Sequence, residues 1–140
     1  MSRPQPLQAR RIKALRNPLV RRYGGGNLHF ITFSCYRRRP LLGTQRARNI
    51  FLRILNEARN RYDFALLGYV LMPEHVHILF GEPRIGNPSD VVQVLKQRAS
   101  RALRKRKRRR TVAGQLKLWQ EPAIRQPSRF WQRRFYDFNV

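Results

Sequence analysis

"LMPEHVHILF", residues 71–80, sets two apolar runs on either side of Pro73-Glu74 and places two of the chain's three histidines one residue apart. Proline cannot donate to a strand ladder, so the run breaks at Pro73-Glu74. On one side "FALLGYVLM" (64–72) is apolar on both faces, which predicts a central strand covered on both sides or by a partner. On the other, "HVHILF" (75–80) reads as the next strand, paired with the first as a hairpin. Residues i and i+2 of a strand point the same way, so His75 and His77 share one face and Val76 takes the other.

Working outward, "LHFITFSCY" (28–36) alternates and is rich in β-branched and aromatic residues, the pattern of a strand, and it ends in Arg37-Arg38-Arg39-Pro40. From Thr44, a plausible cap, to about Tyr62 the apolar residues Ala47, Ile50, Phe51, Ile54, Leu55 and Ala58 follow helical spacing. Asp63 falls in the turn that follows. A second helix opens on the capping cluster Asn87–Asp90, with Val91, Val92, Leu95, Ala99, Ala102 and Leu103 as its apolar stripe. It runs into "RKRKRRR" (104–110), where cations suit the helix macrodipole. "SRFWQRRFYDFNV" (128–140) closes the chain as an aromatic, β-prone segment. The order β-α-β-β-α-β predicts an α+β, ferredoxin-like fold: an antiparallel sheet with two helices on one face. Residues 1–26 form a flexible basic arm ending at Gly24-Gly25-Gly26, and 27–140 form one domain.

Composition narrows the function. The 140 residues carry 31 Lys and Arg against 7 Asp and Glu, a formal net charge of +24. A surface so charged repels itself and calls for a polyanion, most simply nucleic acid. Arginine dominates over lysine, which suits bidentate phosphate contacts. The charge is spread along the chain rather than gathered on one amphipathic helix, which argues against a membrane anchor. No apolar run reaches the roughly 18 residues of a membrane span, and no apolar core follows the basic N-terminus as in a secretory signal. Cys35, the one cysteine, cannot form an internal disulfide and reads as a small buried strand residue. The expected location is cytoplasmic, associated with the nucleoid through DNA.

Two imidazoles side by side are natural ligands for one divalent ion such as Mn²⁺, Mg²⁺ or Zn²⁺. Open coordination positions would let such an ion grip a phosphate oxygen and stabilise charge developing on it. The plainer account of His-x-His is two partly buried polar side chains. Glu74 reads as a turn residue, and His29 as a polar residue at a strand end.

With its flanks, "LGYVLMPEHVHILF" resembles the signature of the single-tyrosine HUH transposases, in which two histidines flank one hydrophobic residue. The nearest relatives by pattern are the REP-associated tyrosine transposases, cousins of the insertion-sequence-200 type. The resemblance extends over roughly residues 28–140, through "HFITFSCYRRRPLL", "SDVVQVLKQRASRAL" and "FWQRRFYDFNV". It implies a ferredoxin-like fold, and metal-assisted cleavage and rejoining of single-stranded, hairpin-forming DNA. In the family the histidine pair, here His75 and His77, holds a divalent metal (Mg²⁺ or Mn²⁺) on the scissile phosphate. A tyrosine attacks and keeps the 5′ end as a phosphotyrosine. The expected partner is single-stranded or hairpin DNA, with no membrane and no small-molecule substrate, and the chain acting as a monomer or homodimer.

The family tyrosine lies on a helix beyond the segment matching "FWQRRFYDFNV", in a stretch resembling Tyr-x-x-x-Asn-Pro. The sequence stops at Val140, so the resemblance predicts a truncated transposase whose nucleophile is missing; Tyr136 matches the closing strand instead. A catalytically inactive DNA-binding remnant is therefore the alternative, and a basic RNA-binding structural protein a further one. The cations expected to touch phosphate beside the histidine-bearing face are Arg37, Arg38 and Arg39 after the first strand, Lys96, Arg98, Arg101 and Arg104 on the second helix, and Arg133 and Arg134 near the end. Phe130, Trp131, Phe135 and Tyr136 are candidates to stack unpaired bases, with core packing competing for the same rings. Neutralising roughly 6–10 phosphates makes affinity fall by about 10³–10⁵ between 50 and 200 mM salt.

Overall fold

The computed structural model describes residues 21–112 and 129–140. Residues 1–20 of the expected arm, and the connection through residue 128, lie outside the described residues. The elements in order are β1 (Leu28–Ser34), a short 3₁₀ turn (Tyr36–Arg38), α1 (Gln45–Tyr62), β2 (Leu66–Leu71), β3 (His75–Gly81), α2 (Pro88–Val112) and β4 (Tyr136–Asn139). This is the predicted β-α-β-β-α-β order in an α+β fold. The strands form one antiparallel sheet in the order β2-β3-β1-β4.

Both helices cover the same face. Along β3 burial alternates strictly, with Val76, Ile78 and Phe80 inward and His75, His77 and Leu79 outward. The inward side chains join Ile31 and Phe33 of β1, Phe51, Ile54 and Leu55 of α1, and Val91, Val92 and Leu95 of α2 in one core. Thr44 caps α1 as expected, its hydroxyl accepting from the Ala47 N–H at 3.1 Å. A reciprocal pair opens α2: Asn87 Oδ1 accepts from the Asp90 N–H, and Asp90 Oδ2 from the Asn87 N–H, both at 3.1 Å. Pro88 stands at the first helical position, where a missing N–H costs nothing. Asp63 ends α1 in the left-handed region at φ 49°.

Two expectations are corrected. β2 is an edge strand, not a central one, and Tyr69 is 48% exposed rather than in the core. Its apolar composition reflects an open edge where Leu67, Val70 and Met72 also meet solvent. The closing segment is a strand only over its last residues. Residues 129–135 run irregularly, touching the sheet at an isolated bridge between Cys35 and Trp131. Residues 21–26, the end of the expected flexible arm, are held by the domain. The Gly26 N–H donates to Glu82 at 2.6 Å, the Gly24 N–H donates to the same carboxylate, and the Tyr23 hydroxyl meets Ser89 Oγ at 2.6 Å.

Candidate metal and DNA site

The face of the sheet opposite the helices is open. Register places Val70, His77, Thr32 and Tyr136 in one row across the four strands, with His75 opposite Ser34 one step along. The imidazoles of His75 and His77 sit edge to face, centroids 4.7 Å apart at 84°. Phe30 stacks on the far side of His77, nearly parallel at 5.6 Å.

Each ring is oriented by a partner on Nδ1. His75 Nδ1 lies 3.1 Å from Glu74 Oε1, and His77 Nδ1 lies 2.8 Å from Thr32 Oγ1. An ionised carboxylate only accepts, so His75 Nδ1 carries the proton and its Nε2 presents a lone pair. The Thr32 hydroxyl sets the same tautomer in His77 when it accepts. Burial, and then the neighbouring His75, hold the His77 imidazole below its ordinary pKa, which keeps it neutral. Glu74 thus does more than turn the chain. Since β3 begins at His75, Glu74 is free of the strand alternation and its carboxylate swings back to the ring. The hairpin tip is itself anchored. The Met72 N–H donates to the His75 carbonyl, the Cys35 N–H to the Glu74 carbonyl and the Leu42 N–H to the Pro73 carbonyl.

The histidines line a cleft of about 560 Å³ together with Thr32, Ser34, Arg38, Arg133, Arg134 and Tyr136. Three of the expected cations therefore gather beside the pair. Arg38 gets there through a backbone in the left-handed region, φ 51°, after Arg37 at φ 53°. Tyr136 is 55% exposed and stands two strands from His77, roughly 10 Å between Cα atoms at ordinary strand spacing.

Other expected contacts lie elsewhere. α2 packs on the helix face, so Lys96, Arg98, Arg101 and Arg104 are not beside the histidines; Arg98 reaches Glu57 on α1. Arg37 and Arg39 are exposed beyond the end of β1 and are not among the residues lining the cleft. Trp131 is 7% exposed, packed edge-on against Phe33 and Phe51, and offers no face to a base. Phe130 is buried with it. His29 is no loose strand end: it is fully buried on the helix face, its Nδ1 2.9 Å from Asp137 Oδ1. Sequence reasoning missed Thr32, although the alternation of "LHFITFS" already put it on the face opposite Ile31 and Phe33.

Among the described residues no group of three or more His, Cys, Asp or Glu side chains could hold a metal ion. The pair is a two-donor site.

The sequence profile of the IS200-like transposases matches residues 23–140. The chain belongs to the IS200-like transposase family. Among solved structures, a REP-associated tyrosine transposase bound to a REP hairpin shares the fold at a TM-score of 0.60 and 19% identity, over 86% of this chain and 60% of that one. A Deinococcus radiodurans R1 protein assigned as a transposase aligns at 0.60 and 17% identity, over 86% of this chain and 84% of that one. At these identities the likeness establishes the fold. This transposase-family chain thus spans about 60% of the length of the hairpin-bound relative. No curated protein matches it. No helix among its described residues is long and apolar enough to cross a membrane.

Proposed function

We propose that this chain binds single-stranded, hairpin-forming DNA and sets a phosphodiester of that DNA at the histidine cleft. The observation that carries the reading is the pair of neutral imidazoles on one sheet face, each oriented through Nδ1, beside Arg38, Arg133 and Arg134. The donor set suits a divalent cation: His75 and His77 would hold it through Nε2, with Glu74 and Thr32 as the orienting partners. Such an ion supplies Lewis-acid stabilisation of charge on a phosphate oxygen. The chain's own residues do the rest. Arg38, Arg133 and Arg134 draw the backbone into the cleft, and their guanidinium groups match phosphate oxygens two at a time. The reaction class is DNA strand transfer, as family membership suggests. Tyr136 is the one tyrosine lining this cleft, yet it sits on β4 rather than on a helix.

The test is a gel-shift and adduct assay on a DNA hairpin with a single-stranded flank, in Mn²⁺. The expected result is Mn²⁺-strengthened binding that His75→Ala/His77→Ala abolishes, with no covalent adduct formed by the 140-residue chain. A boiling-resistant adduct lost in Tyr136→Phe would transfer the nucleophile role to Tyr136. Binding of equal strength with and without the histidines assigns the chain as a DNA-binding remnant. A preference for RNA assigns it to the RNA-binding class.

A further inference from the structure

A second groove, of about 590 Å³, runs between α2 and residues 129–135. Arg21, Lys96, Arg104, Arg129 and Arg133 line it, and no carboxylate does. These cations stand on fixed supports. Lys96 Nζ donates to the Gln132 carbonyl at 2.6 Å, and Trp131 Nε1 donates to the Lys96 carbonyl at 2.8 Å, so 131–132 is fastened to α2. The Arg21 guanidinium lies 3.8 Å over the Phe135 ring and donates to its carbonyl at 3.3 Å.

Gathering like charges in this way is unfavourable. Burial, and then Arg21, lower the Lys96 pKa, the direction that a crowded, unneutralised cation takes. The chain has no acid to spare for the groove. All six described carboxylates are engaged elsewhere: Glu57 with Arg53 and Arg98, Asp63 with Arg84, Glu74 with His75, Glu82 with Gly24 and Gly26, Asp90 with Asn87, and Asp137 with His29. Neutralisation has to come from outside. The groove also lacks a stacking surface, since Phe130 and Trp131 are buried and Arg21 covers Phe135. Cations without open rings suit a phosphate backbone whose bases are turned away, as in a duplex.

One residue belongs to both clefts. Arg133 lines this groove and the histidine cleft alike. We infer that the α2 groove binds the backbone of the double-stranded stem of a folded DNA, and that Arg133 is the ridge over which the strand passes from that stem into the histidine cleft. The second half rests on the reading of the cleft as a DNA site; the first does not.

Fluorescence anisotropy with three DNA probes separates them: a blunt hairpin, an unstructured single strand, and the same hairpin carrying that strand as a 5′ tail. Arg21→Gln/Arg129→Gln should weaken the blunt hairpin and reduce its log–log salt slope by roughly 2, about 0.9 for each phosphate left unneutralised. Single-strand binding should move less than about twofold. Arg129→Gln alone, which leaves the Arg21–Phe135 stack intact, should take about half that slope change. Arg133→Gln should abolish the advantage of the tailed hairpin over its parts. Equal losses for hairpin and single strand, or no loss for the hairpin, overturn the groove. A tailed-hairpin advantage that survives Arg133→Gln overturns the ridge. If His75→Ala/His77→Ala leaves Mn²⁺ response and single-strand binding unchanged while the hairpin result holds, the cleft reading has failed and the groove stands.

Discussion

The two faces of the sheet treat histidine in opposite ways. On the helix-covered face His29 is sealed in the core and bonded to Asp137, leaving His29 Nε2 and Asp137 Oδ2 without a partner among the described residues. On the open face His75 and His77 are each bonded through Nδ1 and keep Nε2 toward a cationic cleft. One residue type thus serves closure on one side and reaction geometry on the other. The difference lies in what surrounds the second ring nitrogen: core on one face, open cleft on the other. Removing the open-face pair tests this most sharply. His75→Ala/His77→Ala should eliminate Mn²⁺ binding by titration calorimetry, yet shift stability by no more than about 0.5 kcal/mol, as for surface substitutions. Loss of the fold would mean the pair is structural.

The buried histidine should give the reverse. Asp137→Ala strands His29 in the core and should cost about 3 kcal/mol in a urea melt, the scale for removing one partner of a buried polar pair. A cost below roughly 1 kcal/mol would show that the pair is solvated. Glu74→Gln is the intermediate case, because it leaves both histidines in place but weakens the acceptor that orients His75. Mn²⁺ affinity should fall by about 10–100-fold with stability little changed, the range for an outer-shell partner.

How much of this contrast was legible in the sequence follows from strand periodicity. "HVHILF" fixed which residues share a face, and the same alternation places α2, which needs an apolar surface, against Val76 and Ile78 rather than beside the histidines. That step was available and would have moved Lys96, Arg98, Arg101 and Arg104 away from the cleft. The neighbour order of the strands was not available. "LLGYVL" looks alike at an edge and in a centre, because composition does not say what pairs with it. The burial of Trp131 was hidden for another reason: residues 129–135 do not alternate, so a strand reading of "FWQRRFY" had no regular faces to assign. Glu74 was misplaced by extending the strand one residue too far.

Cys35 extends the comparison to chemistry. It ends β1 beside the hairpin tip, yet it is fully buried, and burial pushes its thiol up to about 11. The folded pKa lies above the unfolded value. The stability gained by keeping the thiol neutral is therefore complete below about pH 9 and falls as pH rises toward 11. Native protein at about pH 8 should react with a thiol reagent only as fast as it unfolds, and Cys35→Ala should flatten the alkaline part of the stability profile. Rapid labelling of folded protein would place Cys35 on the open side.

The smallest effect concerns the backbone. Arg37 and Arg38 both lie at positive φ, a region that disfavours side chains with a Cβ by about 1–2 kcal/mol, and only there does β1 deliver a cation to the cleft. Arg38→Gly removes strain and charge together. Glycine's larger unfolded-state entropy offsets part of the relief, so stability should rise by roughly 0.5–1 kcal/mol. Single-strand affinity should fall, with the salt slope reduced by about 1. The opposed signs separate the two faces: a substitution in the helix-covered core has no strain to release and can only destabilise. If Arg38→Gly lowers stability, the turn is held by contacts of the arginine itself, and the strain does not belong to the cleft.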